Sequence, residues 1–365
     1  MNAELITEPG AAWEECEARL DARSTPLPLH HRAIWARAAA ASGVLNSLIG
    51  IRDSDGDWRA AFAIESSRSR ALPGHRLLSI LRVGIGAGGL DEEALEAGLT
   101  GLSKLARRDR FVLRVTVDVF ALDAYARGRT GEALRGHGFL RVATTRSYER
   151  TLLIDLAPEE DALFAGLHKN ARQGIRNVAK FPVRLTTAES ADLASRLQQL
   201  GDETRARTTG ERRDLDWRAF IDMSRRAPNL SRIAILERTD RDGPDAVLAF
   251  AWARMHGDVA EYAESGSMRP DDMKISTSYV LLWDLICWAR RGGARWFDLG
   301  GVTTGHTESS DPIGGISDFK RRFSRCEVEV GEQWEFSPDP RRAAFANAVS
   351  RAAAFVRSGI ERARY

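Results

Sequence analysis

Two segments about half the chain apart share one grammar. Leu105-Ala-Arg-Arg-Asp-Arg-Phe-Val-Leu113 and Trp288-Ala-Arg-Arg-Gly-Gly-Ala-Arg-Trp-Phe-Asp-Leu299 each end an apolar helical run in basic residues and drop at once into a buried strand. Cations suit a helix C-terminus, where unpaired carbonyls carry partial negative charge, and a strand of continuous apolar residues is one covered on both faces. A chain of 365 residues also exceeds the ~100 to 200 residues that one core usually organises. Together these features predict a structural duplication: two α/β units with mixed sheets, over residues 1–156 and 157–338, followed by a C-terminal helix over 339–365.

The local signals fit that division. In the first half they predict a helix around Trp13, a loop broken by Pro26 and Pro28, a helix over 33–41, and strands over 48–52 and 58–65 joined by the turn Asp53-Ser-Asp-Gly56. A strand over 76–85, an amphipathic helix over 92–107, and strands over 111–119 and 144–156 follow. The second half reads as helices over 158–180, 191–207 and 217–226, strands over 231–238, 247–255 and 259–265, a helix over 277–291 and a strand over 296–299. The last helix sets Arg341, Arg342, Arg351, Arg357, Arg362 and Arg364 beside Phe345, Val349 and Phe355. Packing against the second unit is expected of it, with rest on an anionic membrane surface as the alternative.

Composition narrows the function classes. No run approaches the ~18 apolar residues of a membrane span, and the first 20 residues carry five glutamates where a signal peptide needs a basic start. A cytoplasmic location is expected. Cys16, Cys287 and Cys326 are far apart, and the seven histidines show no ligand spacing beyond the adjacent pair at 30 and 31, so neither a disulfide framework nor a metal site is indicated. A net charge of +2 is too balanced for a surface that coats nucleic acid, so any anion site must be local. Only five of the 53 cations, at positions 104, 169, 180, 274 and 320, are lysine, and lysines that survive a drift to arginine are enriched where a compact ammonium is needed.

Gly84-Ile-Gly-Ala-Gly-Gly89 fits the spacing of a dinucleotide loop, but the helix after it opens Asp91-Glu92-Glu93, carboxylates where a phosphate would sit. The segment also fails as an acyl-CoA pyrophosphate loop, because Ile85 stands where the first glycine after Arg82 is required. Along 158–180, Lys169, Arg172, Arg176 and Lys180 form a basic stripe opposite Leu163, Phe164, Leu167, Ala171, Ile175 and Val178. It is either a grip for the phosphates of a nucleotide or RNA end or a solvated face. Arg205, Arg207, Arg212 and Arg213 cluster near Glu203, Glu211 and Asp214, which makes surface ion pairs an equal reading. In strand 259–265, alternation puts Tyr262 and Glu264 on one face. Asp298 ends a buried strand ahead of Gly300 and Gly301, and Lys320 lies between Phe319 and Phe323 on a short helix. A desolvated ammonium there would stabilise a developing negative charge; the plainer reading buries the two rings and leaves Lys320 in solvent.

From Ser265-Gly-Ser-Met268 onward, the order Trp288-Ala289, Phe297-Asp-Leu-Gly-Gly-Val302, Phe319-Lys-Arg-Arg-Phe323 and Glu327-Val-Glu-Val-Gly-Glu332 resembles the Fem-type aminoacyl transferases, which build peptidoglycan bridges. The likeness extends upstream to the basic helix, to Arg207 and to Trp35-Ala36-Arg37. It implies two GNAT-like (acyl-CoA N-acyltransferase-like) subdomains around a cleft, without the long helical arm of some members. The implied reaction moves an aminoacyl group from aminoacyl-tRNA, a co-substrate, to an amine of a muropeptide or a nucleotide- or lipid-linked precursor. Lys320 would stabilise the oxyanion, Tyr262 would line the cleft, and Arg37 and Arg207 would grip acceptor phosphates. Glu264, where the family often has a second tyrosine, would suit a cationic substrate. Two other readings stay open: a transferase of the same fold taking its acyl group from acyl-CoA or an acyl carrier, and a non-catalytic RNA- or precursor-binding module.

Overall fold

The computed structural model describes residues 1–362 except 26, 84–90, 144–147, 211–212, 307–310 and 312, with the backbone alone for 353–362. The glycine-rich segment 84–89 and Arg212 therefore lie outside the described residues.

In the first half, β1 (Asn2–Ile6), α1 (Ala11–Ala22), α2 (Ala33–Ala40), β2 (Leu45–Arg52), β3 (Trp58–Arg68), β4 (Arg76–Val83), α3 (Glu92–Arg108), β5 (Val112–Phe120), α4 (Ala124–Gly136) and β6 (Leu140–Arg141) follow in order. Then come β7 (Arg150–Asp155), α5 (Glu160–Gly166), α6 (Lys169–Asn177), β8 (Val183–Thr187), α7 (Ala194–Arg207), α8 (Trp217–Arg226), β9 (Ser231–Arg238), β10 (Val247–His256) and β11 (Val259–Ser267). The chain closes with α9 (Thr277–Arg291), β12 (Trp296–Gly301), α10 (Gly314–Lys320), β13 (Cys326–Glu329), β14 (Gly331–Phe336) and α11 (Pro340–Arg362).

These strands form two seven-stranded mixed sheets, ordered β1-β2-β3-β4-β5-β14-β6 and β8-β9-β10-β11-β12-β7-β13. Each half follows the same plan, and each sends one strand to the other. After β6 the chain crosses as β7 into the second sheet, between β12 and β13; after β13 it crosses back as β14 into the first, between β5 and β6. The duplication is real, but its expected boundary after residue 156 does not follow the sheets. Residues 150–155 belong to the second sheet and residues 331–336 to the first, because a strand's partner is set by tertiary register rather than by its own sequence. Among the described residues the longest helix between 157 and 338 is the 15-residue α9, so the fold is the compact, arm-less arrangement.

Four apolar clusters fill the described residues, one of them formed by Trp13, Cys16 and Leu20 of α1 with Leu48, Trp58 and Ala63. Ile49, Phe62, Leu102, Val117 and Trp334 pack under the first sheet, and Leu236, Ala251, Leu285 and Phe297 on one face of the second. The fourth carries Trp35 of α2 into an aromatic layer with Trp217, Phe220 and Trp252 on the other face of the second sheet, so a first-half helix caps second-half strands. Burial of a large aromatic contributes roughly 1.5–3 kcal/mol, which makes this layer a principal bond between the halves. α11 packs on the first unit rather than the second: Arg114 of β5 donates to Asn347 (2.6 Å), and Ala343 and Ala346 are buried. The helix expected over 158–180 breaks at Leu167 and His168, both extended, into α5 and α6. Its apolar side is as expected, with Leu167, Ala171 and Val178 buried.

Candidate active site

The two sheets treat their parallel strand pair differently. β4 and β5 pair from Arg76 with Val112 to Val83 with Val119, with irregularities after Arg76 and between Ile80 and Val83. β11 and β12 pair only from Val259 with Trp296 to Glu261 with Asp298, although β11 runs on to Ser267. Past that point the strands part, and a bulge in β12 between Asp298 and Gly301 turns its end away.

Lys320 occupies the parting. Phe319 and Phe323 pack on Tyr279, with ring centroids 5.2 and 5.9 Å away, and this anchoring holds α10 so that Lys320 points inward. It is only 7% exposed, and its Nζ donates to Gly301 O at 2.7 Å. Gly300, at φ +75°, makes room: a Cβ there would lie 3.3 Å from Tyr262 O and 3.4 Å from Lys320 Nζ. Gly301 does the same for Tyr148, whose own Cβ would lie 2.5 Å and whose ring would lie 3.1 Å from an added Cβ. The two glycines are thus required by close approach. Burial pushes the Lys320 ammonium down to about 8, against the pull of Asp298 and Glu261.

Beneath Lys320 lies a buried ionic cluster joining the halves. Arg82, at the end of β4, reaches across to Glu261 (2.5 Å) and toward Asp298 (3.4 Å), with its guanidinium 4.2 Å from the Phe120 ring. Its φ of +51° is costly for a side chain of this size, and the ion pairs hold it there. Tyr148 accepts from Arg82 (2.6 Å) and donates to Asp298 (2.5 Å). Glu261 also receives Arg254 at 2.6 Å and His256 at 3.1 Å. Burial alone would raise Glu261, but Arg254 and Arg82 hold it well below the usual carboxylate range. Burial lowers His256 to about 3 and His30, which meets Arg254 at 3.1 Å, well below its usual value, so both imidazoles are neutral.

The residues anticipated from sequence distribute unevenly around this point. Lys320 and Tyr262 come together at the parting, and burial pushes the Tyr262 hydroxyl up to about 12. Asp298 lies directly below but is fully buried, accepting from Thr151 (2.5 Å) and Gly300 N (2.7 Å) as well as Tyr148, so it braces the site rather than facing a ligand. Glu264 is not on the face of Tyr262. β11 bulges at Ala263, so Tyr262 pairs with Ala253 and Glu264 with Trp252, and directly opposed residues share a face. Glu264 therefore meets Arg205 (3.2 Å) and Arg213 (3.5 Å) on the α7 side. Arg207 donates to Ser267 O (2.6 Å) from the end of α7, and Arg37 binds Glu14 (2.8 Å) and Pro9 O (2.7 Å) at the surface of the first half. Arg172 caps the end of α5 by donating to Ala165 O (2.8 Å), Arg176 stacks on Phe164 (5.1 Å), and Lys169 begins α6 in solvent. Sequence reasoning missed Arg82, Tyr148 and Thr151 as neighbours of Lys320. Among the described residues no group of three or more His, Cys, Asp and Glu is placed to hold a metal ion.

Comparison with known proteins agrees with the fold. A family model described as an acetyltransferase (GNAT) domain matches residues 165–321. The structure resembles a crystal structure of FemX, with a TM-score of 0.71, 14% identity, and coverage of 92% of this chain and 97% of that one. L-PGS from Bacillus licheniformis gives 0.53 at 12% identity, covering 95% and 99%, and a tandem GNAT protein from the clavulanic acid biosynthesis pathway gives 0.50 at 14%, covering 93% and 99%. No curated protein sequence matches the chain.

Proposed function

We propose that this chain, which has the tandem GNAT-like fold of the Fem type, is an acyltransferase that moves an aminoacyl group from aminoacyl-tRNA to an acceptor amine. The observation that carries the reading is the ammonium of Lys320 at the parting of β11 and β12. In the proposed reaction the amine nitrogen attacks the ester carbonyl carbon, a C–N bond forms, and the carbonyl oxygen becomes an oxyanion. Lys320 keeps further N–H bonds beyond the one to Gly301 O, and a preorganised donor in a buried site stabilises such charge. The C–O bond then breaks, the ribose hydroxyl leaves with a proton, and the amide remains. Because an activated ester is already reactive toward an amine, alignment and oxyanion stabilisation supply most of what catalysis requires.

The donor is argued from the segment that links β11 to α9. Residues 268–276 contain no glycine and carry Asp271 and Asp272, with Asp272 paired to Arg238 at 2.6 Å. Arg269 and Lys274 balance these carboxylates, but without a glycine the backbone cannot approach a pyrophosphate closely, which favours tRNA over acyl-CoA. The acceptor follows by analogy of fold alone: a peptidoglycan-precursor amine, with a lipid headgroup as the variant suggested by the likeness to L-PGS. Arg37 and Arg207 remain the proposed contacts for acceptor phosphates. Among the described residues no helix is long and apolar enough to cross a membrane, so a lipid-linked acceptor would be met at a surface.

The test offers the purified protein labelled aminoacyl-tRNAs and acetyl-CoA in separate reactions with muropeptide and lipid acceptors. Label passing from tRNA to an acceptor amine is the expected result. Acylation from CoA alone would replace the donor and keep the fold, and label reaching a lipid would change the acceptor class.

A further inference from the structure

The end of the first unit opposite Lys320 gathers cations that the fold does not use. α3 and α4 finish there, β5 starts there and α11 departs from it. Lys104, Arg107, Arg108, Arg110 and Arg341 are exposed at this end and have no ion-pair partner among the described residues. The acids around them are engaged: Asp109 by Arg76, Asp339 by Arg342 (3.2 Å), Glu96 by His137 (2.8 Å) and Glu335 by Arg114 (3.2 Å). The dipole of α3 accounts for Arg107 and Arg108 in its last turn. It does not account for Arg110, which lies past the helix, or for Arg341 in the first turn of α11, where the same dipole disfavours a cation.

These groups form one face. Arg342 donates to Arg110 O, the Arg107 guanidinium lies 5.3 Å from the Phe336 ring, and that ring lies 5.2 Å from Phe139 just beyond α4. Between the two helix ends is an open recess of about 580 Å³, walled by Lys104, Arg107, Arg108, Gly136 and His137. Phe111, beside Arg110, is 41% exposed, and Phe345, early in α11, is 60% exposed. Unpaired cations around exposed rings match a surface that is negative on the outside and apolar beneath.

We infer that this end docks on an anionic phospholipid bilayer, with a headgroup phosphate in the recess beside Lys104 and Arg108 and the Phe111 ring in the interfacial layer. Charge complementarity selects the occupant: the cations spread from α3 to α11 across a face instead of converging on one point, as they would for a soluble phosphate ester, and a phosphate ester has no use for the exposed rings. The nine residues of β5 separate this face from the Phe120 ring under Arg82, roughly 26 Å. Docking therefore recruits the protein without bringing a short headgroup to Lys320. Under the transferase reading above, the acceptor amine arrives from solution or on a long headgroup.

The experiment is co-sedimentation with vesicles of phosphatidylcholine alone and of equal parts phosphatidylcholine and phosphatidylglycerol, across a salt series. Wild type should pellet with the mixed vesicles only, less so as salt rises. Each basic residue near such a surface contributes about fivefold, so the surface double variant Lys104→Ala, Arg108→Ala should weaken partitioning roughly thirtyfold. Its circular dichroism spectrum, and its turnover with a soluble acceptor in the absence of vesicles, should be unchanged. Equal binding to both vesicles, a double variant that binds as wild type does, release from the mixed vesicles by inorganic pyrophosphate at constant ionic strength, or tighter binding to a blunt RNA hairpin than to vesicles would overturn the inference. Vesicle binding is read without donor or acceptor, so it stands or falls apart from the transferase reading.

Discussion

The first sheet carries its parallel pair to the end of β4, across an irregularity between Ile80 and Val83, and the second opens its pair after three residues. The same plan thus yields one scaffold and one site. The closed pair has Val115, Val117 and Val119 buried along β5. The open pair has Gly300 and Gly301 at its end, an ammonium in the gap and carboxylates beneath. The first half still takes part, because Arg82 leaves the end of the closed pair and neutralises Glu261 below the open one. The lesson is that duplication let one sheet lose its packing function locally while the other, through a single arginine and an exchanged strand, holds the opening in shape.

Breaking the bridge between the halves should have the largest effect. Arg82→Met leaves Asp298 without a guanidinium and Glu261 with Arg254 alone in a buried place, and a destabilisation of about 3–5 kcal/mol is expected by denaturant titration. A loss below about 1 kcal/mol would mean that the halves do not depend on that arginine. Next comes the ammonium. Lys320→Ala should lower turnover about 10²- to 10³-fold with an unchanged circular dichroism spectrum.

The acidity of Lys320 gives a third prediction. Turnover should fall as pH rises through about 8, the value to which burial lowers it, rather than near the ordinary 10.5. Stability runs the other way. The folded state binds its proton less tightly than the unfolded chain, so the buried charge costs stability below about 8, and the cost fades between there and 10.5. Lys320→Met should therefore be more stable than wild type at neutral pH, and the gap should close at high pH. Gly300→Ala should act more mildly, costing about 1 kcal/mol for its left-handed backbone and slowing turnover by crowding Lys320. Smallest is Arg37→Ala, whose half-exposed pair with Glu14 should change stability by less than about 1 kcal/mol.

The second half was the more legible in sequence, for physical reasons. Residues 217–226, 231–238 and 277–291 form the elements their apolar periodicity predicts, because a buried face imposes a strict period. The place of Lys320 between two aromatics marks it in the sequence, and the structure buries it rather than leaving it in solvent. What stayed hidden depends on pairing across the chain. β7 and β14 carry no mark of which sheet they join. The bulge at Ala263, which sends Glu264 to the opposite face, comes from register with β10. Arg82 and Tyr148 are 66 residues apart and meet only through the fold; the departure of Arg82 from an acetyltransferase loop was visible, its role across the halves was not.

The most direct measurement is a single-turnover rate of aminoacyl transfer from tRNA to an acceptor amine, followed from pH 6 to pH 10 for wild type and Lys320→Ala. The account predicts a wild-type rate that falls with an apparent pKa near 8 and a variant that is slow and flat across the range. A variant as fast as wild type, or one that keeps the same pH dependence, would contradict the role given to the ammonium at the parting of β11 and β12.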